Sequence, residues 1–335
     1  MIDRKKDHIE LALQSRVSAS EKDERFVYEP ALSGHPADDL VPFEFLGKTM
    51  KVPMWASSMT GGTEKAGVIN KRLAKACNKY GMGMGLGSCR QILFDRSHWA
   101  DFDLRDIIGD DLPFYANIGI AQVEELLEKD NIDPLIKLVQ DLRTDGLIVH
   151  INPFQEWFQP EGDRYNNPPI QTIKELLKEV NFPVIVKEVG QGMGPESIRE
   201  LMRLKLAAIE FGALGGTNFS RLELLRNPDR DAHYKGFPLM GHTAEEMVRY
   251  VNTALNNYKH YCKEVIISGG VADFLDGYYL NSICQANSVY GHAYTLLKYA
   301  EESYEALDEF LAVQVNGYRM AETFLVIKEL AHRRF

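Results

Sequence analysis

The chain is poor in several features that would set it apart from ordinary enzymes. Only four of its 335 residues are cysteines, Cys77, Cys89, Cys262 and Cys284. They form no CxxC pair and no metal-like cluster. That excludes a disulfide framework and leaves free thiols in a reducing compartment. Basic residues are in deficit, 38 Lys and Arg against 48 Asp and Glu, for a formal net charge of −10. An acidic surface excludes broad nucleic-acid binding, which needs a basic face. It leaves room for an anionic small substrate where cations gather at one pocket. There is no apolar run of about 18 residues, so no membrane span is expected. The start, MIDRKKDHIELAL, is charged rather than apolar, so no signal peptide is expected there. These readings make the expected compartment the cytoplasm.

What the chain does have is a recurring unit. A short apolar run, often closed by Gly, Ser or Asn, is followed by a helical pattern. The runs are VPMWASS (52–58), MGMGLGS (82–88), FYANIG (114–119), GLIVHIN (146–152), PVIVKEVG (183–190), AAIEFG (207–212), EVIISGG (264–270) and NSVYG (287–291). Near-continuous apolar strands alternating with amphipathic helices mean parallel strands buried on both faces. Eight such units predict an α/β fold, a (β/α)8 TIM barrel. The rival, a doubly wound sheet, would carry a GxGxxG turn after its first strand. The MTGGT found there is not that motif. The expected organisation is a single domain over 1–335. Within it, 1–45 is an N-terminal extension, 46–300 the barrel, and 301–335 C-terminal helices packed outside. The stretch 29–48 reads as irregular.

In such a barrel the active site is built at the C-terminal strand ends. Those ends carry Met59-Thr60-Gly61-Gly62, Ser88 and Arg90, Asn117, His150 and Asn152, Lys187, Gly215-Gly216-Thr217, Ser268-Gly269-Gly270 and Gly291-His292. The glycine pairs after the sixth and seventh runs suit a phosphate, because glycines let backbone N–H groups approach an anion closely. The competing view makes them turn residues only. Lys187 ends a buried strand, so it needs an anionic or electron-rich partner. A surface pair with Glu188 is the alternative. The densest polar stretch is 150–164, HINPFQEWFQPEGDR. There Glu156 is a hard oxygen ligand suited to Mg2+ shared with phosphate oxygens. His150 and Gln155 can hydrogen-bond an oxyanion or relay a proton. The alternative is a solvated loop with an incidental histidine. Arg4, Lys5, Lys6 and His8 form a cationic start that could fold over a diphosphate.

Taken together, these segments resemble type 2 isopentenyl-diphosphate isomerase. The similarity runs in order through RKKDHIELAL (4–13), FLGK (45–48), MTGG (59–62), GSCR (87–90), ANIGIAQ (116–122), 150–164, PVIVKEVGQG (183–192), GGT (215–217) and SGG (268–270). The resemblance implies an FMN-dependent isomerase that interconverts isopentenyl and dimethylallyl diphosphate in isoprenoid biosynthesis. Mg2+ would be required, NADPH would reduce the flavin, and the N-terminal extension would cap the substrate. It implies Arg4, Lys5, His8, Ser88, Arg90 and Gln155 on substrate, and Gln155, His150 and Asn152 as the catalytic set, with Gln155 beside the reacting alkene and His150 and Asn152 lining the substrate site. Glu156 would hold Mg2+. Ser58, Met59, Thr60, Ser88, Asn117, Lys187, Thr217, Gly269, Gly270, Val271 and Ala293 would contact FMN. It also implies a homo-oligomer in which the N-terminal segment reaches a neighbouring site.

Four departures stand out. Cys89 replaces a glutamine and Gly194 a serine. Val271-Ala272 stand where a basic residue is usual, and the following helix lacks its lysine. Backbone donors would therefore have to hold the FMN phosphate. Two other functions fit the same barrel. One is an FMN-dependent oxidoreductase of the 2-hydroxy-acid dehydrogenase type, which needs a histidine and arginine near the flavin where this chain has SGGVAD. The other is a non-catalytic flavin or prenyl-diphosphate binder, against which the intact Gln155 and Glu156 argue.

Overall fold

A computed structural model of the chain describes residues 4–36, 39–57 and 62–331. Among them lie twelve strands: β1 (Phe26–Tyr28), β2 (Phe43–Phe45), β3 (Lys48–Met50), β4 (Met54–Ala56), β5 (Gly83–Gly85), β6 (Phe114–Gly119), β7 (Gly146–Ile151), β8 (Val184–Glu188), β9 (Ala208–Glu210), β10 (Glu264–Ser268), β11 (Asn287–His292) and β12 (Leu325–Ile327). Strands β4 to β11 close into one parallel barrel, with β11 back against β4. Each of the eight apolar runs in the sequence supplies one of these strands. Among the described residues no helix is long and apolar enough to cross a membrane.

The helices around the barrel follow from apolar spacing and good caps. Helix Glu64–Tyr80 buries Ala66, Ile69, Asn70, Leu73, Ala74 and Cys77 on one face. Thr63 caps its start by accepting from Ala66 N–H, and Gly81 ends it at φ 70°, a left-handed conformation that glycine adopts at little cost. Helix Ala244–Asn257 opens with a reciprocal capping box between Thr243 and Glu246. Residues 123–142, VEELLEKDNIDPLIKLVQDL, read in the sequence as one helix-like stretch, but they fall in two helices, Ile120–Glu128 and Asp133–Asp141. Asp130 turns left-handed between them at φ 48°. Pro134, at the start of the second helix, has no N–H to continue the first.

Inside the barrel, side chains alternate between two cores. Trp55, Tyr115, Ile148, Ile185, Ala208, Ile266 and Val289 meet in one buried apolar cluster in the barrel interior. Their neighbours in the strands, such as Met54, Ala116, Val149, Val186, Ile209 and Ile267, join the larger core beneath the helices. This is the period-two rule of a strand buried on both faces. The floor of the interior is closed by a feature that the reading of 29–48 as irregular did not contain. Strands β2 and β3 form a hairpin over Phe43–Met50, turned at Leu46 and Gly47 with φ 53° and 73°. Phe45 and Met50 are fully buried in the interior cluster. Leu46 N–H donates to Glu264 at the start of β10 over 2.8 Å, and Lys48 pairs with Asp145 just before β7 at 2.6 Å. The hairpin therefore plugs the N-terminal end of the barrel. Outside the barrel, β1 pairs antiparallel with β12, and helices Tyr294–Glu302 and Tyr304–Phe324 pack on the wall.

Candidate functional site

Two residues beyond each inward apolar position comes the next inward position. Those positions are Ser57, Asn117, His150, Lys187, Glu210, Ser268 and Gly291. The interior thus turns from apolar to polar in one step, about 6–7 Å along each strand, and does so at the C-terminal end. A cavity of about 480 Å³ opens there, and its lining includes Ser57, Lys187, Glu210, Ser268 and Gly291. Its walls are the loops after β8 to β11, including Gly190, Gly215, Gly216, Thr217, Gly269, Gly270, Val271 and Ala293. Six of the predicted cofactor residues are therefore brought together: Lys187, Thr217, Gly269, Gly270, Val271 and Ala293.

The glycine pairs are more than turn residues. A Cβ on Gly215 would lie 2.9 Å from Gly270 Cα, and one on Gly269 would lie 2.1 Å from Ala213 O. The two loops touch backbone to backbone, which only glycine permits at this range. Gly215, Gly269 and Gly270 also have φ of 110°, 88° and 71°. Helix Tyr294–Glu302 begins at this wall, with no side-chain cap on its first turn. Helix Phe274–Ile283 differs. Asp273 already accepts from Leu275 and Asp276 N–H, and Asp276 accepts from Ala272 N–H at 2.8 Å. Free amide donors at the cavity wall come from the first helix, not the second.

The floor is charged. Lys187 is 7% exposed and Glu210 0%, and the two are register partners across β8 and β9. Lys187 Nζ donates to Glu188 O at 2.7 Å. The Glu188 carboxylate is itself buried and accepts from the N–H groups of Gly190, Gln191 and Gly192, so the surface-pair alternative for Lys187 does not hold. Burial raises the Glu188 pKa, and those three N–H groups pull against the rise. Glu210 Oε1 accepts from Ser268 Oγ at 3.3 Å. Its Oε2 is buried without a hydrogen-bond partner among the described residues. Burial raises its pKa, and Lys187 lowers it in opposition. Sequence reasoning passed over Glu210. Its signal was a carboxylate two positions beyond an inward apolar residue in AAIEFG.

A second group of polar residues lies beside the cavity, at the ends of β5, β6 and β7. Asn117 donates from Nδ2 to Leu86 O at 2.9 Å, which leaves its Oδ1 to accept from His150 Nδ1 at 2.9 Å. His150 Nε2 is then the ring's acceptor. Burial, helped by Lys187, pushes the His150 pKa down to about 3, so the ring is neutral at ordinary pH. Asn152 donates to both Gln155 Oε1 and Glu156 Oε1, at 3.1 and 2.8 Å. Glu156 is 8% exposed, and its Oε2 accepts from Asp163 N–H at 2.7 Å. Asp163 Oδ2 pairs with Arg90 at 2.6 Å. The stretch 150–164 is therefore held by buried and half-buried hydrogen bonds rather than left as a solvated loop. Ser88 and Arg90 are exposed on the same side. His8 is exposed on helix Arg4–Leu11 and does not line the cavity. Ser58, Met59, Thr60 and the side chains of Arg4 and Lys5 lie outside the described residues.

No family model matches the chain. Curated proteins do. An isopentenyl-diphosphate delta-isomerase of Rickettsia felis is 33% identical over 319 residues, covering 92% of this chain and 88% of the relative. One of Pelodictyon phaeoclathratiforme is 32% identical over 356 residues, covering 99% and 96%. The chain belongs to the isopentenyl-diphosphate delta-isomerase family. Among solved structures, a mandelate oxidase mutant with the monooxide FMN adduct is similar, with a TM-score of 0.54 at 14% identity, covering 90% of this chain and 83% of that one. At that identity the likeness speaks for the barrel fold. Within this family member, the cavity and the 150–164 stretch occupy neighbouring parts of one rim.

Proposed function

We propose that the protein interconverts isopentenyl diphosphate and dimethylallyl diphosphate, with FMN in the cavity and Mg2+ at Glu156. The observation that carries this reading is the polar ring two residues above the apolar interior, opening into a cavity with a glycine-built wall. Family membership supports the substrate, because the relatives are named for it.

The residues present fit both groups. For FMN, the wall offers backbone amides at Gly216, Gly269 and Gly270 and an uncapped helix start at Tyr294. These suit a phosphate without any side-chain cation. Lys187 on the floor suits the electron-rich edge of a reduced flavin, and the Glu210 oxygen with no hydrogen-bond partner among the described residues is a further polar group on that floor. For Mg2+, one carboxylate plus diphosphate oxygens and water is a sufficient donor set. Among the described residues each Glu156 oxygen accepts one hydrogen bond and has a lone pair left.

The alkene is a very weak base, so its protonation needs a positioned acid and support for cationic charge. Bound reduced FMN would supply the acid–base group and an electron-rich face. The chain positions the rest. Asn152 holds the Gln155 amide by its oxygen, leaving the NH2 group for the reacting end. Asn117 fixes the His150 ring, whose free nitrogen accepts a proton-bearing group rather than donating to an oxyanion. Arg90 and Ser88, with Arg4, Lys5 and His8 of the N-terminal segment, bind the diphosphate. NADPH would be the flavin's reductant, and the protein works in the cytoplasm as a homo-oligomer.

FMN titration followed by absorbance tests the cofactor assignment without turnover. Saturable binding is expected, weakened about tenfold or more in Lys187→Ala. A wild-type protein that leaves the FMN spectrum unchanged would remove the flavin from the account.

A further inference from the structure

Residues 159–164, QPEGDR, follow the short helix Pro153–Phe158 that carries Gln155 and Glu156, and nothing in the reaction as described uses them. They make a brace. Arg164 Nη1 donates back to Glu156 O at 2.5 Å and to Gly162 O at 2.8 Å, and its guanidinium sits 5.1 Å from the Trp157 ring centroid. Gly162 passes so close that a Cβ there would lie 2.0 Å from Glu156 O. The segment thus wraps the helix and brings Asp163 to a point where residues following three strands meet. Asp163 N–H donates to Glu156 Oε2 at 2.7 Å. Its carboxylate accepts from Gln122 Nε2, beyond β6, at 2.6 Å. It also faces Arg90, beyond β5, as a fork, with Nη1 at 2.6 Å from Oδ2 and Nη2 at 3.2 Å from Oδ1.

The Arg90 side chain is 56% exposed and that of Asp163 29%. An ion pair this open to water adds little to stability. What it does supply is orientation. A guanidinium gripped along one edge by a carboxylate keeps its remaining N–H groups aimed as a rigid fork. Holding that fork in place before an anion arrives lowers the ordering cost of binding.

We infer that Asp163 is a positioning residue that presets two groups from beyond different strands at once: the Arg90 guanidinium through its carboxylate and the Glu156 carboxylate through its backbone N–H. The inference rests on the proposed function, in which Arg90 binds the substrate diphosphate and Glu156 the metal. It splits the two roles by atom. Asp163→Asn removes the charge that holds Arg90 and keeps the N–H that holds Glu156.

Calorimetric titration of isopentenyl diphosphate into the FMN-loaded protein, with Mg2+ varied, tests this. Asp163→Asn is expected to weaken substrate binding about tenfold and leave half-saturation by Mg2+ unchanged, with Asp163→Glu partly restoring affinity. In an Arg90→Ala background, Asp163→Asn should cost nothing further, because its effect passes through Arg90. Full additivity of the two losses, or an Asp163→Asn variant that binds as wild type does, overturns the inference while leaving the isomerase reading intact. A wild-type protein that does not bind isopentenyl diphosphate at all overturns both.

Discussion

His150 shows how much of this site depends on single side chains kept in unusual states. Its native pKa is pushed down to about 3 from an ordinary 6.5, by burial first and Lys187 second. Buried His292 behaves alike, at about 4, with burial the largest cause. Between these values and 6.5 the unfolded chain binds protons that the native chain does not. Stability is therefore complete above about pH 6.5 and falls as pH drops toward 4. Thermal melts from about pH 7 to 4 should show this fall, and it should be shallower in His150→Gln. Identical slopes in the two proteins would mean that His150 is not kept neutral by the fold. The same neutrality is useful at the site, since a cationic ring beside Lys187 would crowd two positive charges.

At the scale of elements, the hairpin of β2 and β3 separates stability from chemistry. Phe45 is wholly buried at the N-terminal end of the barrel, while the cavity opens at the other end. Phe45→Ala should cost about 3–5 kcal/mol, read by urea denaturation, with FMN affinity unchanged. A loss below about 1 kcal/mol would show that the plug is not part of the core. The barrel strands were legible in the sequence because each is an apolar run bounded by small residues. The hairpin was not. Two strands of three residues each are too short to display an alternation, and the FLGK turn sits among prolines and aspartates that read as loop. The break within 123–142 was likewise hidden by apolar spacing that continues across it.

For the molecule as a whole, eight repeats were enough to predict closure, and closure brings the candidate site residues to one rim. Polar residues at strand ends, such as Lys187, His150 and Asn152, could be read directly, because chain position alone decides which end they occupy. Glu210 was missed inside an apolar run, although the two-residue step from Ala208 points to it. The brace at Asp163 was beyond sequence reasoning. Arg90, Gln122 and Asp163 follow three different strands and meet only after the barrel has closed. The central claim is that this rim isomerises a prenyl diphosphate. The most direct measurement is an anaerobic incubation with FMN, Mg2+, isopentenyl diphosphate and NADPH, counting dimethylallyl diphosphate formed against NADPH consumed. Many products per NADPH, none without reduced FMN, and at least about a tenfold lower rate in Gln155→Ala are predicted. Product formed one-for-one with NADPH, or no product from a protein that has bound FMN, would contradict it.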